Sequence, residues 1–135
     1  MSNSIATGVA YNDPEFSTVY ATAEIGYATA AQGSVTQLTS KSTGVTLNTS
    51  SGQITMNNAA LAATTNVSFT LTNSTISAKD VIIFNVAGGN ATAGTYNVFT
   101  STLAAGSATV VLRNISAGSL SEAVVLNFAI IHAQS

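Results

Sequence analysis

From Val35 onward the chain alternates apolar and polar positions in short runs, with turn residues between them. Val45 and Leu47 have polar neighbours, Ser51-Gly52 turns the chain, and Ile54 and Met56 resume the alternation. Val67, Phe69 and Leu71 are spaced by Ser68 and Thr70, the period of a strand with one face in a core and the other in water. Val81 to Val86 is nearly continuous in apolar residues and reads as a central strand covered on both sides. Gly88-Gly89-Asn90 closes it. Tyr96 and Val98, then Val110 and Leu112, mark two more strands, with Ala105-Gly106 between them at hairpin distance. Ala117-Gly118-Ser119 breaks the chain before a last strand from Ala123 to about Ala133. Asn57 to Thr65, with its run Ala59 to Ala63, reads as one helical turn or a tight loop. β-Branched residues crowd the alternating positions. The runs amount to about eight strands, at the spacing of a β-sandwich or barrel. The predicted class is all-β: a β-sandwich, eight-stranded and jelly-roll-like. An immunoglobulin-like sandwich would lack its usual Cys and Trp anchors, and strand order is not written in the pattern.

Residues 1–33 behave differently, so the chain divides into an N-terminal arm, 1–33, and a sandwich domain, 34–135. The arm alternates poorly, yet it holds Tyr11, Phe16, Tyr20 and Tyr27, and it holds Asp13, Glu15 and Glu24 with no base. Pro14 biases Asp13 towards an extended or turn conformation. Glu15 to Ala23 suits one or two helical turns, with Phe16, Val19 and Tyr20 on one face, or an extended arm. A solvated tail is poor in Tyr and Phe because it has nothing to bury them against. The arm's aromatics are therefore expected to pack on a partner or on the protein's own assembly.

Composition narrows the function classes. Of the 135 residues only 6% are charged, against about 25% in an ordinary soluble domain. Ser, Thr and Asn make up roughly a third of the chain, so its surface is neutral and hydroxyl-rich. Three basic residues and a net charge of −2 exclude nucleic-acid binding through phosphates. No apolar stretch is long enough to cross a membrane as a helix. There is no cysteine, hence no disulfide, thiolate nucleophile or thiolate metal site. Met1 to Ile5 shows neither the basic nor the apolar region of a secretory signal, which predicts synthesis in a bacterial cytoplasm. Asn-x-Ser/Thr triplets at Asn48, Asn66, Asn73, Asn90 and Asn114 are then read as chance products of composition rather than glycan acceptors.

The catalytic inventory is short, and no enzyme and no cofactor are predicted. His132 is the sole histidine; to act as a general base it needs a nucleophile and an orienting acid beside it. A transition-metal site wants several clustered ligands that the chain lacks. Asn12, Asp13 and Glu15 form the densest oxygen cluster but not a calcium-loop pattern, and read as a solvated acidic turn. Asp80 and Glu122 are the remaining carboxylates for paired acid–base work, with Asp80 expected to pair with Lys79. Gly88-Gly89-Asn90 has neither the following helix nor the lysine of a phosphate loop. Tyr96 and Phe99 are candidates for a sugar-stacking platform or for the core.

Two stretches carry a resemblance: Leu38 to Asn48 followed by Ser51-Gly52-Gln53-Ile54-Thr55, and Ser116 to Phe128. Together they are similar to small virion proteins of tailed bacteriophages, specifically capsid decoration (cement) proteins, over roughly residues 34 to 133. The resemblance implies a homotrimeric β-sandwich on the outer surface of a phage head, clamping neighbouring major capsid proteins. It brings no active site. A trimeric tail-fibre tip or receptor-binding module and a carbohydrate-binding sandwich are the alternatives. Tyr11, Asp13, Glu15, Phe16 and Tyr20 are the expected capsid-docking residues. Val124, Leu126, Phe128 and Ile130 are expected to be divided between core and trimer contact, because the final strand is apolar on both faces.

Overall fold

A computed structural model of the chain describes residues 16–133. After a 3-10 turn at Thr29–Ala31 come eight strands: β1 (Gln32–Thr36), β2 (Val45–Thr46), β3 (Ser51–Thr55), β4 (Asn66–Thr72), β5 (Val81–Gly88), β6 (Tyr96–Ala104), β7 (Ser107–Asn114) and β8 (Val125–Ile131). They form two four-stranded sheets packed face to face, in the orders β1-β3-β8-β5 and β2-β4-β7-β6. The protein is an all-β sandwich. The pairs β1–β3 and β2–β4 are parallel and the other pairs antiparallel. This follows from the path: β1 to β4 alternate between the sheets, so each sheet meets its next strand after two reversals of direction. β6 and β7 form a hairpin across Ala105-Gly106, with Gly106 in the left-handed region at φ +78°.

The interior is filled by the inward row of each strand. Ile54, Leu71, Val110, Leu112, Leu126 and Ile130 are fully buried, and the rings of Phe84 and Phe128, cross-strand partners, lie 5.7 Å apart. β4 has the alternation read from its sequence, with Phe69 and Leu71 inside and Ser68 and Thr70 outside.

Several expectations need correction. The run Val81–Val86 is not a central strand: β5 lies at the edge of its sheet, with Ile82, Phe84 and Val86 half-buried and Val81 and Ile83 exposed. An apolar run states that cover is wanted, not that the same chain supplies it. Residues 16–23 form no helix, and among the described residues no secondary structure precedes Thr29 apart from bends. The boundary at 33 falls inside β1, which opens at Gln32. Asn57–Thr65 is a loop held by a bridge from Leu61 to Leu120, and β8 is shorter than expected at both ends. Val124, Leu126, Phe128 and Ile130 all lie in the chain's own core, so they are not surface residues shared with a partner subunit. The face of β8 that remains open carries Ala129 and Ile131 instead.

Candidate functional site

Two parts of the molecule hold side chains in arrangements that a core does not require. The first is the outer face of the sheet containing β5 and β8. Odd-numbered residues of both strands point away from the core. The register pairs Val81 with Ile131 and Ile83 with Ala129, which gathers the apolar residues at one end of that face. Val81, Ile83 and Ile131 are 57%, 53% and 57% exposed. Beside them the arm crosses the sheet, where the Tyr27 hydroxyl donates to the Ile130 carbonyl. Ile25, Tyr27, Ile83, Ala129, Ile131 and His132 line an apolar cleft of about 600 Å³. The arm covers little of it, since Ile25 is itself exposed, and upstream Phe16, Val19 and Tyr20 are exposed too. Of the expected docking residues, Phe16 and Tyr20 are thus open to a partner, while Tyr11, Asp13 and Glu15 lie outside the described residues.

Further along the same face the chemistry changes. Gln53 and Asn127 are paired across β3 and β8, and the Gln53 amide donates to Asn127 Oδ1 at 3.0 Å. Together with Gln32 and Ser51 they line a polar groove of about 320 Å³.

The second part is a polar cluster where the sandwich ends. One residue beyond the paired registers of β5 and β8, Asp80 lies opposite His132, in the inward row that includes Ile82 and Ile130. Ser50 lies across from Ile130 just before β3, its carbonyl accepting the Ile130 N–H at 2.9 Å. Three strand ends therefore place Ser50, His132 and Asp80 side by side. His132 Nδ1 is 2.9 Å from Asp80 Oδ2, and Nε2 is 3.3 Å from Ser50 Oγ. The Asp80 side chain is fully enclosed, while that of His132 is 42% exposed. Asp80 also accepts the Ser77 N–H at 2.8 Å and the Ala133 N–H at 2.9 Å. The Ser77 bond is the main cause holding its pKa below the usual carboxylate value; burial opposes it, and the Ala133 and His132 contacts add to it. Asp80 is therefore partnered by His132 rather than by the neighbouring Lys79. A hydroxyl and a carboxylate, the two groups His132 would need as a general base, are both beside it.

The other candidates separate. Glu122 sits near the far end of β5, its Oε1 accepting the Ala91 N–H, so Asp80 and Glu122 are not a carboxylate pair. Tyr96 and Phe99 lie on opposite faces of β6, the first buried and the second exposed, and share no stacking platform. Among the described residues no group of three metal-ligating side chains occurs.

Sequence reasoning missed three buried polar anchors. Lys41 is buried and donates to the carbonyls of Asn57 and Glu122; desolvation lowers its pKa, with Glu122 opposing the shift. Asn114 donates to the carbonyls of Leu61, Ala62 and Gly118, and its Oδ1 accepts from the N–H and hydroxyl of Ser116. Asn73 makes the same turn with Thr75. Both asparagines are 0% exposed, so these two Asn-x-Ser/Thr triplets are turn locks, and that spacing was the available signal.

No protein-family model, no curated protein and no solved structure matches this chain.

Proposed function

We propose that this chain is a structural protein of a tailed-bacteriophage particle, a capsid decoration (cement) protein that sits as a homotrimer on the outer surface of the head. The observation that carries the reading is the set of open apolar side chains on one side of the sandwich, Val81, Ile83 and Ile131, continued by Ile25, Tyr20, Val19 and Phe16 in the arm. Exposed apolar surface on this scale marks interaction sites. In a chain with 6% charged residues there is little charge repulsion to keep copies apart. The occupant assigned to the β5–β8 stripe is a second copy of the chain, because an uncharged apolar strip meets its like without any need for charge complementarity. The arm is left for the major capsid protein, with Phe16 and Tyr20 as anchors, since aromatic side chains dominate interface hot spots. The resemblance of residues 34 to 133 to phage decoration proteins supports the same assignment, as does a core built without disulfides.

The test is decoration itself. Full-length protein added to bare heads should bind in hundreds of copies per particle by gel band intensity. The F16A/Y20A double variant should keep its melting temperature and decorate at least tenfold more weakly. A handful of copies per particle would favour a fibre tip. Unchanged decoration by the variant would remove the arm from the interface. A carbohydrate-binding reading has one observation in its favour, the polar groove of Gln32, Ser51, Gln53 and Asn127. Binding on a glycan array that Q53A abolishes would establish it.

A further inference from the structure

The polar cluster at the sandwich end has more order than a strand-end histidine needs. An ionised carboxylate only accepts hydrogen bonds, so Asp80 Oδ2, 2.9 Å from His132 Nδ1, places the ring proton on Nδ1. The lone pair of Nε2 is thereby turned to Ser50 Oγ, 3.3 Å away. Asp80 cannot swing out of this role, because its oxygens are tied to two backbone N–H groups and its side chain is enclosed. Ser50 is fixed through its carbonyl by Ile130. The distances and roles are those of a serine, its general base and the acid that orients the base, a constellation that recurs on unrelated folds. The His132 side chain is 42% exposed, so the serine and its base can be reached from solvent at the sandwich end.

We propose that Ser50, His132 and Asp80 form a second, catalytic site at the sandwich end that accepts acyl groups from small carboxylic esters. In the first step Ser50 Oγ bonds to the ester carbonyl carbon and its proton passes to His132 Nε2. The bond from that carbon to the leaving oxygen then breaks, and the alcohol departs with the proton from Nε2. A water molecule, giving its proton to Nε2, attacks the acyl-serine, and the acid leaves as Ser50 recovers its proton. No oxidant or further reactant is required.

The site is read out by covalent chemistry on the full chain. Treated with p-nitrophenyl butyrate, the protein should release nitrophenolate and gain one butyryl group, carried on Ser50 within the tryptic peptide spanning residues 42–79. S50A should lose that label with no fall in melting temperature. H132A should acylate about 100-fold more slowly or worse, the usual loss on removing a general base, and added imidazole should restore part of the rate. D80N, whose oxygen can still accept from one backbone N–H, should fall between H132A and the parent. Nitrophenolate release no faster from the parent than from S50A, with no butyryl-Ser50 formed, would overturn the proposal. So would equal labelling of H132A without imidazole, or a label spread over the chain's other hydroxyls.

Discussion

Gly89 and Gly94 both sit at φ +76°, yet their surroundings differ and so should their mutants. A Cβ on Gly94 would meet nothing within 4 Å, whereas one on Gly89 would lie 2.0 Å from the Ala123 carbonyl oxygen. Gly94→Ala is expected to cost about 1 kcal/mol for the left-handed backbone alone. Gly89→Ala must also displace the chain leading into β8 and should cost about 3 kcal/mol or more; denaturant unfolding of the two variants checks the difference. Asn114→Ala takes one hydrogen bond from each of the Leu61, Ala62 and Gly118 carbonyls, which keep other donors, and leaves the Ser116 N–H without its acceptor; an unsatisfied buried group costs about 1–3 kcal/mol. A loss below about 2 kcal/mol would show that the turn re-forms without the amide. Asp80 links the same scale to pH. Its folded pKa is lowered, so the unfolded chain binds more protons in the window between the folded value and the ordinary one of about 3.9. Its contribution to stability is complete above that window and is lost as pH falls through the folded value. Melting curves of the parent and Asp80→Asn should therefore lie well apart at neutral pH and converge on acidification. A constant gap across the acid range would contradict the hydrogen-bonded, ionised Asp80.

At the scale of elements, alternation is a local property and was legible wherever one strand faces one core. β4, the β6–β7 hairpin and the inward row of β8 carry the spacing that their sequences predict. β5 was misplaced because its run is apolar on both faces, and an edge strand with an exposed apolar outer face has the same composition as a central one. The parallel pairs β1–β3 and β2–β4 depend on the path between sheets, which no run of residues records. The polar cluster was hidden for the same reason. Ser50, Asp80 and His132 are 30 and 52 positions apart along the chain and meet only through the registers of β3, β8 and β5. The outer face of β5 and β8 yields its own prediction. Ile83 and Ile131 are outside the core cluster, so changing both to Asn should shift the melting temperature of the isolated subunit little. The same change at the inward neighbours Ile82 and Ile130, which pack in the core, should unfold it. Equal damage from the two pairs would mean that the outer face is buried within the chain itself.

The whole molecule is an all-β sandwich with few charges, a closed apolar core and one side left apolar. Its core accounts for Val124, Leu126, Phe128 and Ile130 without a partner, while Val81, Ile83, Ile131 and the arm residues Phe16, Val19 and Tyr20 remain open. Self-association through the β5–β8 face is the central claim, and the capsid assignment rests on an assembled particle of this kind. Light scattering of the full chain at micromolar concentration tests it most directly. The account predicts the mass of three chains for the parent protein and of one chain for the folded I83N/I131N variant. A single-chain mass for the parent, or a variant that stays trimeric, would contradict it.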